Sequence, residues 1–536
     1  MHFKNITEQK IAYKLLTLAA FVTVVLFVVR VIYAGAIALP YPQEIQEASS
    51  VALTNMFLEG KSPYLAASIQ YEVPGINYDY PFFVSFLAAA IAAVFKCSAV
   101  VAHFVISVIS ILGSGIIGFF AVKKYSKTTI APLFAAFLFM LCHWRYGYVS
   151  AAPDDLGLLL LMLTLYGAAS ERVKYKCVWC SVGITLCFYT KQYFVFVAIP
   201  VFVYMLLYSR KEALKLFLIT LGMNIAVAAV ITIEWPLYWM RAFAFTYIGA
   251  GIGGGFKFST FLDQLNYLIY TFAGLFAIVV TAIFMAVRKR KKTGNTSRKV
   301  KVQENDIFAL SIVSSIVMIA PLSIIGRNDG ALMSYYLQLW VHSVVVVALV
   351  CMERMKPEDD PVLLHEAVYV TAYAAIMALT VYFGFGRLPL HTLTPEEVAN
   401  WKRAYEYTAK YSDHGDIFYS RSLAYDGFAR KNGEWMCGHE GEVDSEAEGH
   451  ILNAGIPLEV FPYLRPLVKQ NETFRQGLID KAASHRYSLI TFETEDAFTV
   501  FNETVCKGCG YKCIDKIELQ LGLMTYEVQF YALEDY

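Results

Sequence analysis

Residues 38–81 read ALPYPQEIQEASSVALTNMFLEGKSPYLAASIQYEVPGINYDYP, and this stretch decides how the rest of the chain is read. An apolar run long enough to cross a bilayer precedes it, and another long apolar run follows. It holds five carboxylates: Glu44, Glu47, Glu59, Glu72 and Asp79. Acids beside a membrane surface lose hydration and add nothing to apolar packing, so they are candidate functional groups. The loop at 39–81 therefore predicts an active site built on a membrane scaffold.

Composition agrees. The 536 residues are 57% hydrophobic and 17% charged, with mean hydropathy +0.48. A soluble chain carries about a quarter charged residues. The net charge of +1 hides an asymmetry: residues 385–536 hold 15 basic and 24 acidic residues, whereas residues 1–384 hold 30 and 20. Two bodies follow, a membrane domain over 1–384 and an acidic soluble domain over 385–536.

Apolar runs near 12–38, 99–122, 128–144, 155–170, 177–190, 193–208, 214–234, 263–287, 306–326, 332–351 and 363–383 predict an α-helical polytopic protein of about 11–13 crossings. The first run is too long for a signal peptide. Alternate loops hold 22 basic residues on one side, including Lys123, Lys124 and Arg288 to Lys292, against seven on the other. The richer side is cytoplasmic by the positive-inside rule. This makes the N-terminus cytoplasmic. The loops at 39–81, 144–154 and 235–262 and the C-terminal domain are then extracytoplasmic. Phe82–Phe95 breaks the alternation if it crosses, so it is expected to dip into the outer leaflet or to lie against the bundle; the alternative is a further span paired with another boundary.

Glu44 and Glu47 follow the first span at i, i+3 spacing, which places both on one helix face. Two close carboxylates raise each other's proton affinity, and either then suits a general base toward a hydroxyl. Acids in a helix N-terminal turn are also favoured by the dipole, which is the purely structural reading. Ala152-Pro153-Asp154-Asp155 heads a leucine-rich span. Proline and one acid are ordinary helix-start residues. The second acid is in excess, and binding a divalent metal ion, orienting an acceptor or pairing with Arg145 are the options for the two. Lys191, in the turn Tyr189-Thr190-Lys191-Gln192, joins Arg241, Lys257 and Arg327 as outer cations suited to a phosphate; Arg30 lies within the first span. Snorkelling toward lipid phosphates is the alternative use of each.

The glycine run at 249–255 lacks the GK[ST] ending of a nucleotide loop and reads as a mobile outer loop. Tyr78, Tyr80, Trp144, Trp235, Tyr238 and Trp239 crowd the outer loops, where aromatic faces suit sugar rings or an interfacial belt.

In the C-terminal domain, 391–411 reads as an amphipathic helix, 416–420 and 487–492 as buried strands, and 445–453 and 471–485 as helices, a small α/β domain. Cys437, Cys506, Cys509 and Cys513 suit either two disulfides or a metal site completed by Cys437 or His439.

Taken in order, these features resemble the GT-C superfamily of membrane glycosyltransferases, the group of the dolichyl-phosphate-mannose-protein mannosyltransferases and the aminoarabinose transferase of lipid A. The residues that carry the resemblance are the acid after the first span, Glu59-Gly60-Lys61-Ser62-Pro63-Tyr64, Tyr78-Asp79-Tyr80-Pro81, Ala152-Pro153-Asp154-Asp155 and Tyr189-Thr190-Lys191-Gln192, over roughly residues 10–350. The resemblance implies an outward-facing site and a sugar donor carried on a polyprenyl phosphate. It implies a glycan, lipid or protein acceptor and inversion at the anomeric carbon, with no nucleic acid involved. It places the base at Glu44, with Glu47 as runner-up. Asp154 or Asp155 becomes the span-heading acid, and Lys191, with Arg241 and Arg327, meets the donor phosphate. Members differ over a divalent metal. The Asp-Glu pair common at the first acid is absent here.

The rival reading is a transporter or flippase of a lipid-linked sugar. Transporters favour internal repeats and polar midplane sites. No clear repeat is present, and the acids gather on one face instead.

Overall fold

The computed structural model describes residues 6–38, 41–42, 47–62, 64, 81–126, 129–143, 151–171, 173–236, 238–239, 242, 262, 306–325, 342–347, 349–350, 393–423, 425–427, 433–435, 476–494, 500–521 and 524–533. Helices dominate up to residue 350. They are α1 (Ile6–Ala38), α2 (Glu47–Leu58), α3 (Phe83–Phe95), α4 (Ala99–Lys123), α5 (Ile130–His143), α6 (Asp154–Ala169), α7 (Lys176–Thr190), α8 (Ala198–Tyr208), α9 (Arg210–Glu234) and α10 (Asp306–Ile325). A 3-10 segment, Gln192–Val197, leads into α8.

Among the described residues, three helices are long and apolar enough to cross a membrane: Lys10–Val29, Ala99–Lys123 and Arg210–Glu234. The first and last are largely uncovered, with Leu15, Leu26, Leu218 and Ile225 exposed. Such surfaces are stable against lipid tails and not against water. α4 lies inside and shows why. Its inward face carries Ser107, Ser110, Ser114, Gly115, Gly118 and Ala121, and small residues let a neighbouring backbone come close. A Cβ on Gly118 would sit 2.6 Å from the Phe139 ring of α5, and one on Gly115 would sit 2.8 Å from Met140. The expected spans near 263–287 and 363–383 lie outside the described residues.

α3 is thirteen residues long. At 1.5 Å per residue it reaches about 20 Å, against about 30 Å of hydrocarbon. Lys96 ends it in the left-handed conformation at φ 53°, and Ser98 caps α4 through its side chain. This reversal lays Val84, Ala88 and Ala92 against Ala102 and Ile106 of α4.

The C-terminal part is a mixed sheet over helices. Its strands are β1 (Asp416–Tyr419), β2 (Gly433–Trp435), β3 (Tyr487–Glu493), β4 (Lys512–Leu521) and β5 (Met524–Ala532), in the order β2-β1-β3-β5-β4. β1 runs parallel to β2 and β3; β5 runs antiparallel to β3 and β4. β3 is buried at every position, as a central strand covered on both faces must be. α11 (Pro395–Ser412) opens with a capping box, Thr394 to Glu397, and covers one face. Asn400 and Trp401 donate to the carbonyls of Glu518 and Gln520 on β4. A short α12 (Glu503–Gly508) precedes β4. The helix expected near 471–485 is helical over 476–483, and the one expected near 445–453 lies outside the described residues.

Candidate functional site

Glu47 opens α2, where the helix dipole favours an acid, but its side chain does more than cap. It is buried. One carboxylate oxygen accepts the backbone N–H of Ala151 at 3.0 Å, and the other accepts the hydroxyl of Tyr425 at 3.1 Å. Ala151 stands three residues before Asp154. The acidic loop after the first span and the acids heading α6 thus meet at one end of the helical body.

α2 is tied down along its length. The Thr54 hydroxyl donates to the Ser50 carbonyl at 2.9 Å, so Nε2 of His103 on α4, 2.7 Å away, donates to it in turn. Ser85 of α3 donates to the same Ser50 carbonyl. Buried polar groups on three packed helices are thereby hydrogen-bonded, as low-dielectric burial demands.

The two acids at the head of α6 diverge. Asp155 turns to the interior: the Ser107 hydroxyl of α4 donates to one oxygen, and His143 Nδ1, 3.0 Å from the other, is the ring donor. His143 Nε2 lies 2.7 Å from Ser114 Oγ, and the His342 ring packs edge-on against His143 at 5.4 Å. Asp154 turns to the segment after α7. Lys191 Nζ lies 2.9 and 2.8 Å from its two oxygens, and the Tyr193 hydroxyl donates to it at 2.8 Å. Both members of the ion pair are buried, so each charge is compensated mainly by the other. Lys191 breaks the helix in extended backbone at φ −157°, which points its side chain back toward α6. Close approach makes this possible: Gly157 has no Cβ, and one there would lie 2.0 Å from the Phe194 ring.

Gln192 donates to the Ala242 carbonyl at 2.8 Å and draws the segment after α9 to the same end. Aromatic rings fill in beside it. Trp235 stacks on Phe57 at 5.5 Å and meets Phe82 edge-on at 4.9 Å, and Tyr238 meets Tyr64 at 5.0 Å. Residues of the first loop, of α3 and of the segment after α9 therefore form one cluster.

Of the candidates read from sequence, Glu47, Asp154, Asp155 and Lys191 come together at this end. Lys191, expected to meet a phosphate, is engaged by Asp154. Glu44, Arg145, Arg241, Lys257, Arg327 and the glycines at 249–255 lie outside the described residues, as does the side chain of Arg30. The sequence reading missed His103, His143, Ser107, Ser114, Tyr193 and Tyr425. The signal for two of them was present, because His103 and His143 are titratable residues within or at the edge of apolar runs.

The divalent-ion option finds no donor set here: among the described residues no group of three or more His, Cys, Asp or Glu is arranged to hold a metal ion. Cys506, Cys509 and Cys513 are free thiols; Cys437 and His439, on which the disulfide and metal expectations depend, lie outside the described residues. Burial pushes the thiols of Cys506 and Cys509 up from their ordinary range.

No protein-family model matches the chain, and no curated protein sequence matches it. Solved structures do. ArnT from Cupriavidus metallidurans, bound to undecaprenyl phosphate, superposes with a TM-score of 0.57 over 95% of this chain and 97% of its own, at 12% identity. Its apo form gives 0.55 over 96% and 98%, also at 12%. The Archaeoglobus fulgidus oligosaccharyltransferase in its apo form is a looser likeness, at 0.45 over 82% of this chain and 69% of its own, with 11% identity. The superposition on ArnT extends over nearly the full length of both chains. In fold, the chain resembles the GT-C membrane glycosyltransferases.

Proposed function

We propose that this protein is a membrane glycosyltransferase that moves a sugar from a polyprenyl-phosphate donor to an acceptor hydroxyl on the extracytoplasmic side of the membrane. The observation that carries the reading is the meeting of Glu47 with the head of α6 through Ala151, in a fold shared with a protein solved with undecaprenyl phosphate bound. Residues 1–384 form the membrane domain of 11–13 crossings, with the loop at 39–81 over the site and the N-terminus cytoplasmic. Residues 385–536 form the extracytoplasmic domain.

Glu44 is the base. It takes the proton of the acceptor hydroxyl as that oxygen attacks the anomeric carbon. The bond from that carbon to the phosphate oxygen breaks, polyprenyl phosphate leaves, and the configuration inverts. Glu47 holds the segment that carries Glu44, since Ala151 and Tyr425 occupy its oxygens. Lys191, with Arg241 and Arg327, meets the phosphate. Asp154 orients that lysine, and Asp155 fixes the head of α6 to α4 and α5.

The test uses the full chain reconstituted with radiolabelled undecaprenyl-phosphate sugars and a membrane-lipid and glycan extract as acceptor. Glu44→Gln should lower transfer by about a hundredfold or more, the scale of a lost general base, with undecaprenyl phosphate still bound. Sugar-lipid translocation with no glycosidic product would favour a flippase instead.

A further inference from the structure

The C-terminal domain takes hold of the segment that carries Glu44 at both of its ends, and we infer that it is a positioning device for that carboxylate, acting through Tyr41 and Glu47. This rests on the function proposed above for its kinetic consequences and on geometry alone for the grip itself.

At the near end, Tyr41 is buried in the C-terminal domain's own core. Its ring stacks on Trp401 with centroids 5.1 Å apart and planes 26° apart, and it packs on Tyr405 at 5.6 Å. Both partners are on α11. At the far end, Tyr425 donates to Glu47 and shares an apolar cluster with Val51 of α2, Ala99 of α4 and Ala151. Only residues 42–46 separate the anchors, and Glu44 is the middle one of the five.

The two anchors are also joined to each other. Thr408 of α11 donates to the buried Asp426, next to Tyr425, at 2.6 Å. Gly427 brings the same turn against Tyr419 of β1, where a Cβ would lie 2.9 Å from the ring. Trp401 is held from the other side by its bond to the Gln520 carbonyl. Stacking ring, phenol and sheet therefore form one rigid jaw that holds Tyr41 and Glu47. Positioning of this kind matters because displacing a reacting group by about 1 Å costs about a hundredfold in rate. Tyr425 is thus a positioning residue: it touches Glu47, not the reacting atoms.

The experiment compares full-length wild type, Tyr425→Phe, Trp401→Phe, Glu47→Gln and Tyr425→Phe/Glu47→Gln. Hydrogen exchange on peptides covering 39–58 reads the grip without any substrate. Tyr425→Phe should exchange at least tenfold faster there, with peptides of β3 and β5 unchanged, whereas Trp401→Phe, which keeps an aromatic face, should stay near wild type. Unchanged exchange in Tyr425→Phe overturns the inference. Transfer from a radiolabelled undecaprenyl-phosphate sugar reads the consequence. Tyr425→Phe should lower kcat about tenfold with donor KM within twofold, and the double variant should lose no more than Glu47→Gln alone, because one residue acts through the other. Additive losses, or a raised KM with kcat intact, would sink the positioning role. If wild type forms no glycosidic product, the proposed function fails while the exchange result still decides the grip.

Discussion

Lys191 and Asp154 form a buried ion pair between the turn after α7 and the first residue of α6, with Nζ 2.9 and 2.8 Å from the two carboxylate oxygens. Removing one partner takes the opposite charge away from a buried ion. Lys191→Met should therefore destabilise by about 3–5 kcal/mol, and Lys191→Met/Asp154→Leu should recover much of that loss. Thermal unfolding in detergent measures both; a single variant as stable as wild type would contradict the pairing.

Asp155 is a brace. Asp155→Asn keeps an acceptor oxygen for His143, and the Ser107 hydroxyl can turn to accept from the amide, so it should retain transfer within about threefold. Asp155→Leu leaves two buried donors unpartnered, at about 1–3 kcal/mol each, and should lower the unfolding midpoint. Loss of transfer in a well-folded Asp155→Asn would instead give this acid a direct part in the chemistry.

Gly157 sets the distance between α6 and the Lys191 turn. A methyl group there meets the Phe194 ring at 2.0 Å, and overpacking of this kind costs about 1–3 kcal/mol. Phe194 carries Tyr193 with it, their ring centroids being 4.5 Å apart. Gly157→Ala should therefore weaken undecaprenyl phosphate binding as well as stability, and native mass spectrometry of the lipid complex tests it. Gly222, which faces open space, is the control: Gly222→Ala should change neither.

The thiols of the C-terminal domain should react in an order set by burial. The thiolate is the reactive form. Burial holds the Cys506 thiol protonated well beyond its ordinary range, so at pH 8 Cys513, which is exposed, should alkylate first and Cys506 only on unfolding. The folded pKa is the raised one, so this stability contribution is whole below the unfolded thiol's pKa and fades as pH climbs past it. Mass spectrometry of maleimide-treated protein, native and denatured, gives the order.

The helical body was legible because hydropathy reports membrane burial directly: α1, α4 and α9 fall on the runs read at 12–38, 99–122 and 214–234. β1 and β3 were legible as short runs rich in aromatic and β-branched residues, the composition of strands. β4 was not. Its buried residues, Ile517, Leu519 and Leu521, alternate with exposed ones, the period-2 signature of a half-covered strand, but the nearby cysteines drew the reading toward metal or disulfide chemistry. At the site, the acids and Lys191 stood out as charges among apolar residues. Their partners did not. Ser107, Ser114 and Tyr193 are ordinary residues of apolar helices, and nothing local to Tyr425 announces Glu47, 378 positions away. Sequence shows which charges are out of place and is silent on what neutralises them.

The shortness of α3 bears on the lipid around it. Upright it covers about two-thirds of the hydrocarbon, and tilted it covers less. In the membrane setting proposed above, acyl chains of one leaflet would fill in beneath its tip, and this flank of the protein would offer the two leaflets unequal walls. For the proposed donor, a long isoprenoid arriving from the side would meet protein at one depth and fluid membrane at the other.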